Sequence, residues 1–392
     1  MKNYFTSIVL AMTLFGCQND ASEKEVDPYL AIKEKFGVTI DPENLLNYEK
    51  QTKPAYITRD NTGTNPIKDE AATLGRVLFY DVQLSVDNTV ACANCHAQEH
   101  AFSVLAQSSK GVLGGSTQRH SMRLVNSRFG AETKFFWNER AATLEDQVTK
   151  PIRDHAEMGY SGQDGRPNFD VLLDKLKNIG YYRELFKLAF GDEEITEARM
   201  QQSLAQFVRS IQSFDSKYDA GRSQVNADNQ PFPNFSIKEN QGKNLFLLPP
   251  QFDASGIRIA GGAGCGGCHA PPEFDIAPNT RNNGVIGTIN SSEVDLTNTR
   301  SPSLRNLTDN AGIPNGPMMH NGIFNSLEEV VGHYNAIPDQ PNNTNLDPRL
   351  RPNGFTQKLN LSVDEKDALV AFLKTLSGSA VYTDERWSSP FK

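Results

Sequence analysis

Two short stretches of this sequence carry the same arrangement of reactive side chains. Both have the form CxxCH, and their members are Cys92, Cys95 and His96 in "CANCH" and Cys265, Cys268 and His269 in "CGGCH". Two thiols beside an imidazole can serve as zinc ligands, as a redox dithiol, or as the attachment point of a covalent c-type haem.

The haem interpretation accounts for every residue of the motif. With this composition, a single chance CxxCH is expected in roughly one chain per thousand, so two are not accidental. Zinc sites gather four ligands close together, whereas these pairs are far apart in the chain, and a redox dithiol needs no following histidine. Thiols that bond the haem edge, followed by a histidine that binds iron, explain both motifs. The sequence therefore predicts two c-type haems, bound through His96 and His269.

The elements that must position these motifs also repeat. "LGRVLFYD" (residues 74–81) lies upstream of the first CxxCH, and "QGKNLFLL" (residues 241–248) lies upstream of the second. Both contain Gly-(Arg/Lys)-x-Leu-Phe, at 75–79 and 242–246. Such repetition predicts two similar units, each with a helix, a loop and a haem motif.

The remaining patterning is helical. In residues 195–214 an apolar stripe falls on one helix face, and Ser236, Ser326 and Ser362 each stand three residues before a glutamate, which is the capping-box pattern. The predicted fold is all-α, with two tandem cytochrome-c-like domains and long loops. We expect an N-terminal haem domain over 51–230 and a C-terminal one over 231–392, joined by the loop 221–235.

The N-terminal residues of the sequence predict that the protein is exported from the cytoplasm. Residues 1–16 hold one lysine followed by an apolar stretch and are expected to be a signal peptide, and Leu14–Cys17 resembles a bacterial lipobox, with Cys17 as the lipid anchor. Residues 17–50 are expected to be a tether and linker. With a net charge of −8 and no basic run, the chain has no nucleic-acid surface. A periplasmic protein that meets the membrane only through its lipid is predicted.

The sequence resembles the bacterial di-haem cytochrome c peroxidases, including the MauG-type branch. The resemblance covers about residues 70–390. It rests on "LGRVLFYDVQLS", "FFWNERAATLEDQVTKPI" with the later "EMG", "NNG", "SPSLRN", "MMHNGIFNSLEEVVGHYN" and "LVAFLKTL". A homodimer is common in the family.

For the first haem, the resemblance implies a peroxide-binding iron held by His96. Glu157 of "EMG" is then the residue that moves a proton between the peroxide oxygens, and Trp137 of "FFWNER" relays electrons between the haems. From the residues alone, a solvated glutamate and a buried tryptophan are the plainer interpretations.

For the second haem, the resemblance implies an opposite ligand fourteen residues after His320, which is Tyr334. The peroxidase branch has Met there and the MauG branch has Tyr. His333, Met318 and Met319 stay open as alternatives, as does helix packing for Tyr334.

A departure from many family members concerns the first haem. Many relatives carry an inhibitory histidine near the position of Val112, and none stands there, so the first iron is expected to be open at rest. His100 and His120 are the nearby candidates for that ligand. His155 either tunes the peroxide pocket or is simply exposed.

The resemblance also implies a calcium site between the haems, with carbonyls at Asn315 and Pro317. The family's asparagine ligand is His120 here, which puts calcium in doubt.

Three functions follow from these features. The first is reduction of hydrogen peroxide with electrons from a small periplasmic donor, a cytochrome c or a cupredoxin. The second is a MauG-like oxidase that modifies Trp or Tyr of a partner protein. The third is a di-haem electron carrier without catalysis, which requires both irons to have two protein ligands.

Overall fold

The computed structural model describes residues 1–2, 27–131, 134–276, 279–297, 299–300 and 302–391. The predicted anchor Cys17 and nearly all of the predicted signal peptide lie outside these residues. Among the helices of the described part, none is both long and apolar enough to cross a membrane.

Helices dominate the described residues, as the sequence predicts. They are α1 Leu30–Phe36, α2 Asp69–Tyr80, α3 Cys92–Cys95, α4 Leu144–Val148, α5 Lys150–Arg153, α6 Phe169–Lys177, α7 Gly180–Phe190, α8 Glu197–Ser210, α9 Lys217–Arg222, α10 Ile237–Leu247, α11 Leu327–Asn335 and α12 Val363–Lys374. The fold departs from all-α in two small antiparallel sheets, β1 Pro250–Phe252 with β2 Arg258–Gly261, and β3 His269–Ala270 with β4 Asp275–Ile276. These strands flank and include the second CxxCH, where period-two patterning is too short to detect.

Buried apolar side chains form two clusters. The first draws mainly on residues 32–211, and the second on residues 218–376. The predicted domain boundary near residue 230 stays a prediction, although Phe232 and Phe235 of the expected linker are buried in the second cluster.

The repeated glycine explains how each cluster is built. A Cβ at Gly75 would lie 2.0 Å from the Ser203 carbonyl oxygen, and one at Gly242 would lie 1.8 Å from the Ala368 oxygen. Only glycine therefore lets α2 cross α8, and α10 cross α12, at this separation. Both units use the same residue of the repeated motif for the same close approach.

The predicted capping boxes are confirmed. Ser236, Ser326 and Ser362 each accept a backbone hydrogen bond from the glutamate three residues on, whose side chain accepts one in return. Two orphan amides at the start of α10, α11 and α12 are thereby satisfied.

The N-terminal part of the described chain is packed. In α1, Ile32 and Phe36 are fully buried, and the Glu184 carboxylate of α7 accepts the amide protons of Ala31 and Ile32. Part of the segment expected to be tether and linker is thus a helix fixed to the first cluster.

The C-terminal end returns to the first cluster. Val381 and Trp387 are buried there rather than in the second cluster. Arg76 of α2 donates to the Ser388 carbonyl at 2.6 Å, and the Tyr48 hydroxyl donates to the Arg386 carbonyl at 2.8 Å. The last residues of the chain therefore complete a unit that its first third begins.

Candidate functional site

The first CxxCH is a single helical turn. α3 holds Cys92 and Cys95 on neighbouring positions of the turn, and the His96 amide donates to the Cys92 carbonyl at 2.9 Å. All four cysteines of the two motifs are free thiols and half-buried. Burial raises the pKa of Cys92 and of Cys265, each to about 12, so the thiols are protonated.

Each motif histidine is oriented by a phenylalanine carbonyl. His96 Nδ1 lies 3.2 Å from the Phe102 oxygen, and His269 Nδ1 lies 3.1 Å from the Phe274 oxygen. Both phenylalanines have a positive φ, 60° and 55°. This uncommon backbone conformation aims the carbonyl at the ring, and it leaves Nε2 as the nitrogen for iron.

Burial keeps both imidazoles neutral, which is the form that binds metal. It lowers the pKa of His96, and it lowers that of His269 to about 4.

A large apolar cavity opens at the second motif. It has a volume of about 630 Å³ and is lined by Cys265, Cys268 and His269 together with mostly apolar side chains. That volume lies within the roughly 300–1,000 Å³ typical of cofactor pockets. The thiols, the oriented histidine and the cavity fit a covalently attached haem.

Tyr334 faces this cavity. Its hydroxyl accepts a hydrogen bond from Asn283 Nδ2 at 3.0 Å, and burial raises its pKa. Met318 and Met319 also line the cavity, and Met319 Sδ lies 3.3 Å from the same Asn283 nitrogen.

His333 lies behind this wall of the cavity. Its Nε2 is 2.9 Å from the Asn283 carbonyl, and its ring packs against Phe324. The geometry thus leaves Tyr334 and the two methionines as the candidates for a second iron ligand.

Trp137 contacts the loop that follows the first motif and the cavity of the second motif. Its Nε1 donates to the His120 carbonyl at 2.7 Å, and its ring centroid is 6.4 Å from that of His320. Trp137 also lines the cavity of the second motif. It therefore connects the loop that follows the first motif with the second site.

Some buried polar atoms at this junction have no protein acceptor. Both ring nitrogens of His320 and Nε of Arg123 make no hydrogen bond to any described residue. Buried polar groups are normally satisfied, so these atoms fit a site completed by the polar edge of a cofactor.

Glu157 lies beside the first motif. It follows α5 in a turn where the Asp154 carboxylate accepts the Glu157 amide at 3.1 Å. Burial, and then the charge of Asp154, raises the pKa of Glu157 to about 7, whereas Arg140 opposes the shift. The negative charge of Glu157 in turn raises the pKa values of Cys92 and Cys95, which places it near them.

The loop around Val112 is pinned against the Glu157 turn. Val112 is fully buried, and its amide donates to the Glu157 carbonyl at 3.0 Å. Gly111 comes so close that a Cβ there would lie 1.8 Å from the Ala156 carbonyl oxygen. The side chain at the expected ligand position is an aliphatic one that packs inside.

The three histidines near the first motif are placed differently. His100 is half-buried on a short 3₁₀ turn. His155 is half-buried, with Nδ1 2.9 Å from the Ser161 hydroxyl. His120 is buried, with Nδ1 3.2 Å from the Ala106 carbonyl and Nε2 3.3 Å from the Ser103 hydroxyl.

The calcium expectation finds no support in the side chains. His120 offers nitrogens that are both engaged, whereas calcium prefers oxygen ligands. The Asn315 amide nitrogen donates to the Asn306 carbonyl and to Tyr382, and no cluster of three acidic, His or Cys residues occurs in the described part of the chain. His120 therefore does not fit a calcium shell.

Several residues that shape the two sites were not predicted from the sequence. Phe102 and Phe274 act through their carbonyls, and Asn283 acts through a hydrogen bond to Tyr334. Their only sequence signal is position: the phenylalanines follow the motif histidines by six and five residues. Arg140, which acts on Glu157 through its charge, lies within the quoted "FFWNER" stretch, but the resemblance assigned it no role.

Comparison with known proteins agrees with this fold. A family model described as di-haem cytochrome c peroxidase matches residues 69–226. The methylamine utilization protein MauG of Methylophilus methylotrophus is 30% identical over 350 residues, covering 86% of this chain and 91% of that protein. The cytochrome c551 peroxidase of Nitrosomonas europaea is 26% identical over 325 residues, covering 80% and 81%.

A solved structure agrees in fold. A MauG-like protein associated with microbial copper homeostasis superposes with a TM-score of 0.66 at 27% identity, covering 87% of this chain and 99% of that one. Together these matches define a helix-rich oxidoreductase of the di-haem class. The chain belongs to the di-haem cytochrome c peroxidase family, which includes MauG, and membership implies two c-type haems.

Proposed function

We propose that this protein reduces hydrogen peroxide to water with two electrons from a small periplasmic redox protein, a cytochrome c or a cupredoxin. The observation that carries the proposal is Glu157, a half-buried carboxyl group beside the first CxxCH with its pKa raised to about 7. A group that exchanges protons near neutral pH is suited to acid–base work on a bound peroxide.

Each motif holds one haem in this proposal. Cys92 and Cys95 bond the first, and Cys265 and Cys268 bond the second, with His96 and His269 as iron ligands. When bound, the first haem supplies an iron for peroxide, and the second supplies one that passes single electrons. The neutral state of both imidazoles and their carbonyl-bonded Nδ1 atoms support these assignments.

Glu157 moves the proton. As a carboxylate it takes a proton from one peroxide oxygen and returns it to the other, so that the departing oxygen leaves as water. The hydrogen bonds from the Glu157 amide to Asp154, and from the Val112 amide to the Glu157 carbonyl, hold its backbone in place during this exchange.

Trp137 carries electrons from the second site to the first. Its indole bridges the His120 loop and the cavity, and its ring is buried from solvent. A single aromatic ring between the two sites shortens the step that each electron must cross.

The test is spectroscopic and kinetic. The diferric protein should show a high-spin ferric EPR signal that one equivalent of hydrogen peroxide removes, followed by oxidation of a reduced c-type cytochrome at two per peroxide. Two low-spin signals that peroxide does not change, both before and after one-electron reduction, would contradict the peroxidase and support a di-haem electron carrier without catalysis.

Tyr334 favours a second candidate function. A tyrosine at the cavity of the second site supports a MauG-like oxidase, in which oxidising equivalents are withdrawn from Trp or Tyr of a partner protein. In the experiment above, an oxidised state that persists and reacts slowly with reduced cytochrome would favour this candidate.

We expect Tyr334→Met to raise the reduction potential of the second site by on the order of 100 mV, because a thioether favours the ferrous state. The EPR signal of the second iron should change with it. Spectroelectrochemical titration measures both quantities. Met319→Leu is the matched control and should leave them unchanged; the reverse pattern would make Met319 the ligand.

We also place the protein in the periplasm, anchored through Cys17 after removal of residues 1–16. Growth with labelled palmitate, followed by recovery of label in the protein but not in Cys17→Ser, tests the anchor.

A further inference from the structure

A pair of tyrosines in the first cluster has no part in the proposed mechanism. Tyr181 and Tyr182 are consecutive residues of α7, with ring centroids 4.7 Å apart. Both hydroxyls donate to the same oxygen, Asp81 Oδ2, each at 2.8 Å. Two phenols that share one carboxylate oxygen form a compact hydrogen-bonded triad.

The triad runs from the interior of the first cluster, against which the first motif packs, to a partly exposed position. Tyr182 is fully buried in the first cluster, against which Cys92 packs, and burial followed by the charge of Asp81 raises the pKa of Tyr182. Tyr181 is half-buried at the contact between α7 and α1, where its ring meets Phe36 edge-on at 5.4 Å.

The charges around the triad govern how a tyrosine there could be oxidised. Lys35 lies 5.8 Å from the Tyr181 ring centroid, so a positively charged ring would be disfavoured. A tyrosine that loses its proton together with the electron becomes a neutral radical and avoids this penalty. Asp81 supplies the acceptor for that proton, and its other oxygen is held by the Gln83 amide at 2.8 Å.

We infer that Tyr182, Tyr181 and Asp81 form a redox-active triad that carries an oxidising equivalent from the first CxxCH site to the protein surface. The inference rests on the proposed function for its source of oxidising equivalents, which hydrogen peroxide provides at the first site. When the redox protein that normally donates electrons is absent, the triad supplies an electron to the oxidised first site instead.

The transfer balances in protons and electrons. Tyr182 gives one electron to the oxidised first site and its phenolic proton to Asp81. Tyr181 then gives one electron to Tyr182 and its own proton to Asp81, while Asp81 returns the first proton to Tyr182. A small one-electron reductant, such as ascorbate, finally restores Tyr181, which takes its proton back from Asp81.

The test uses the full-length holoprotein with ring-deuterated tyrosine. One equivalent of peroxide without reductant, followed by freezing, should give a tyrosyl EPR signal that narrows on deuteration. We expect Tyr182→Phe and Asp81→Asn each to reduce this signal at least tenfold. Tyr181→Phe should keep a radical on Tyr182 and slow its decay by ascorbate at least tenfold.

Tyr80→Phe is the matched control. Tyr80 lies in the same cluster, but its hydroxyl donates to the backbone carbonyl of Trp387, which is a poor proton acceptor. Its replacement should leave the tyrosyl signal unchanged. An equal signal in the Tyr181→Phe/Tyr182→Phe double variant and the unaltered protein would overturn the inference.

A second arm separates this inference from the proposed function. The same samples are oxidised by flash-quench with a ruthenium photo-oxidant, which needs no peroxide. If peroxide is not consumed but the photo-oxidant produces a tyrosyl radical on the triad, the peroxidase proposal is refuted and the redox activity of the triad is supported. Peroxide consumed with no tyrosyl radical in either arm would refute the triad alone.

Discussion

Glu157→Gln lowers the rate of peroxide reduction by roughly 10²–10⁴-fold, the usual contribution of a positioned acid–base group. Glutamine keeps the shape of the side chain but cannot accept the proton that Glu157 takes from peroxide. Stopped-flow measurement of the reaction of the diferric protein with peroxide reports this step directly. Steady-state oxidation of a reduced cytochrome then shows whether the loss carries into turnover.

The pH dependence of the unaltered protein follows from the same group. Burial and the charge of Asp154 raise the pKa of Glu157 to about 7, so the carboxylate that accepts the proton disappears below neutral pH. The peroxide rate should therefore rise with pH and reach half its plateau near pH 7. In Glu157→Gln this titration should vanish.

His155→Gln is the control for Glu157→Gln. His155 lies two residues away, and its imidazole bonds the Ser161 hydroxyl. If His155 has no role in the peroxide pocket, its replacement changes the rate less than about threefold and keeps the titration near pH 7. Equal losses in both variants would mean that the turn as a whole, rather than the Glu157 carboxylate, sets the rate.

The Cys265→Ser/Cys268→Ser double variant should lose the second haem and the cooperative folding of the second cluster. At about 24 cal/mol per Å³ of empty apolar space, a cavity of about 630 Å³ would cost on the order of 15 kcal/mol. Water entering the open cavity reduces that cost, and the uncorrected figure lies at the upper end of the stability of a typical protein, about 5–15 kcal/mol. We therefore expect the second cluster to lose much of its stability without its cofactor.

Two measurements check this expectation. The pyridine haemochrome assay should count one haem per chain, and amide hydrogen exchange should show α10 and α12 losing protection. The control is Cys92→Ser/Cys95→Ser, which should also carry one haem but keep protection in α10 and α12. Protected helices in the first double variant would show that the cavity closes without its cofactor.

Local chemistry made much of this protein predictable from its sequence. The CxxCH motifs, the capping boxes and the repeated glycine are short-range signals, and each of these glycines lies at a helix crossing. The resemblance assigned Trp137 to electron relay and Tyr334 to the second iron; both residues line the cavity of the second motif, and their roles stay predictions.

Features that depend on distant contacts could not be predicted. The Phe102 and Phe274 carbonyls matter because of their backbone angles, which no residue type at those positions signals. The pKa of Glu157 depends on burial and on Arg140, which is seventeen residues earlier in the chain. The small sheets near the second motif contain strands of two to four residues, too short for an alternating pattern.

The return of Val381 and Trp387 to the first cluster has a consequence for biogenesis. A chain made and exported from its N-terminus ordinarily folds its leading unit first. Here the leading unit lacks part of its interior until Val381 and Trp387 have been made and can pack into it. Both CxxCH motifs precede these two residues in the chain, so both are available for haem attachment before the interior of the first cluster is complete.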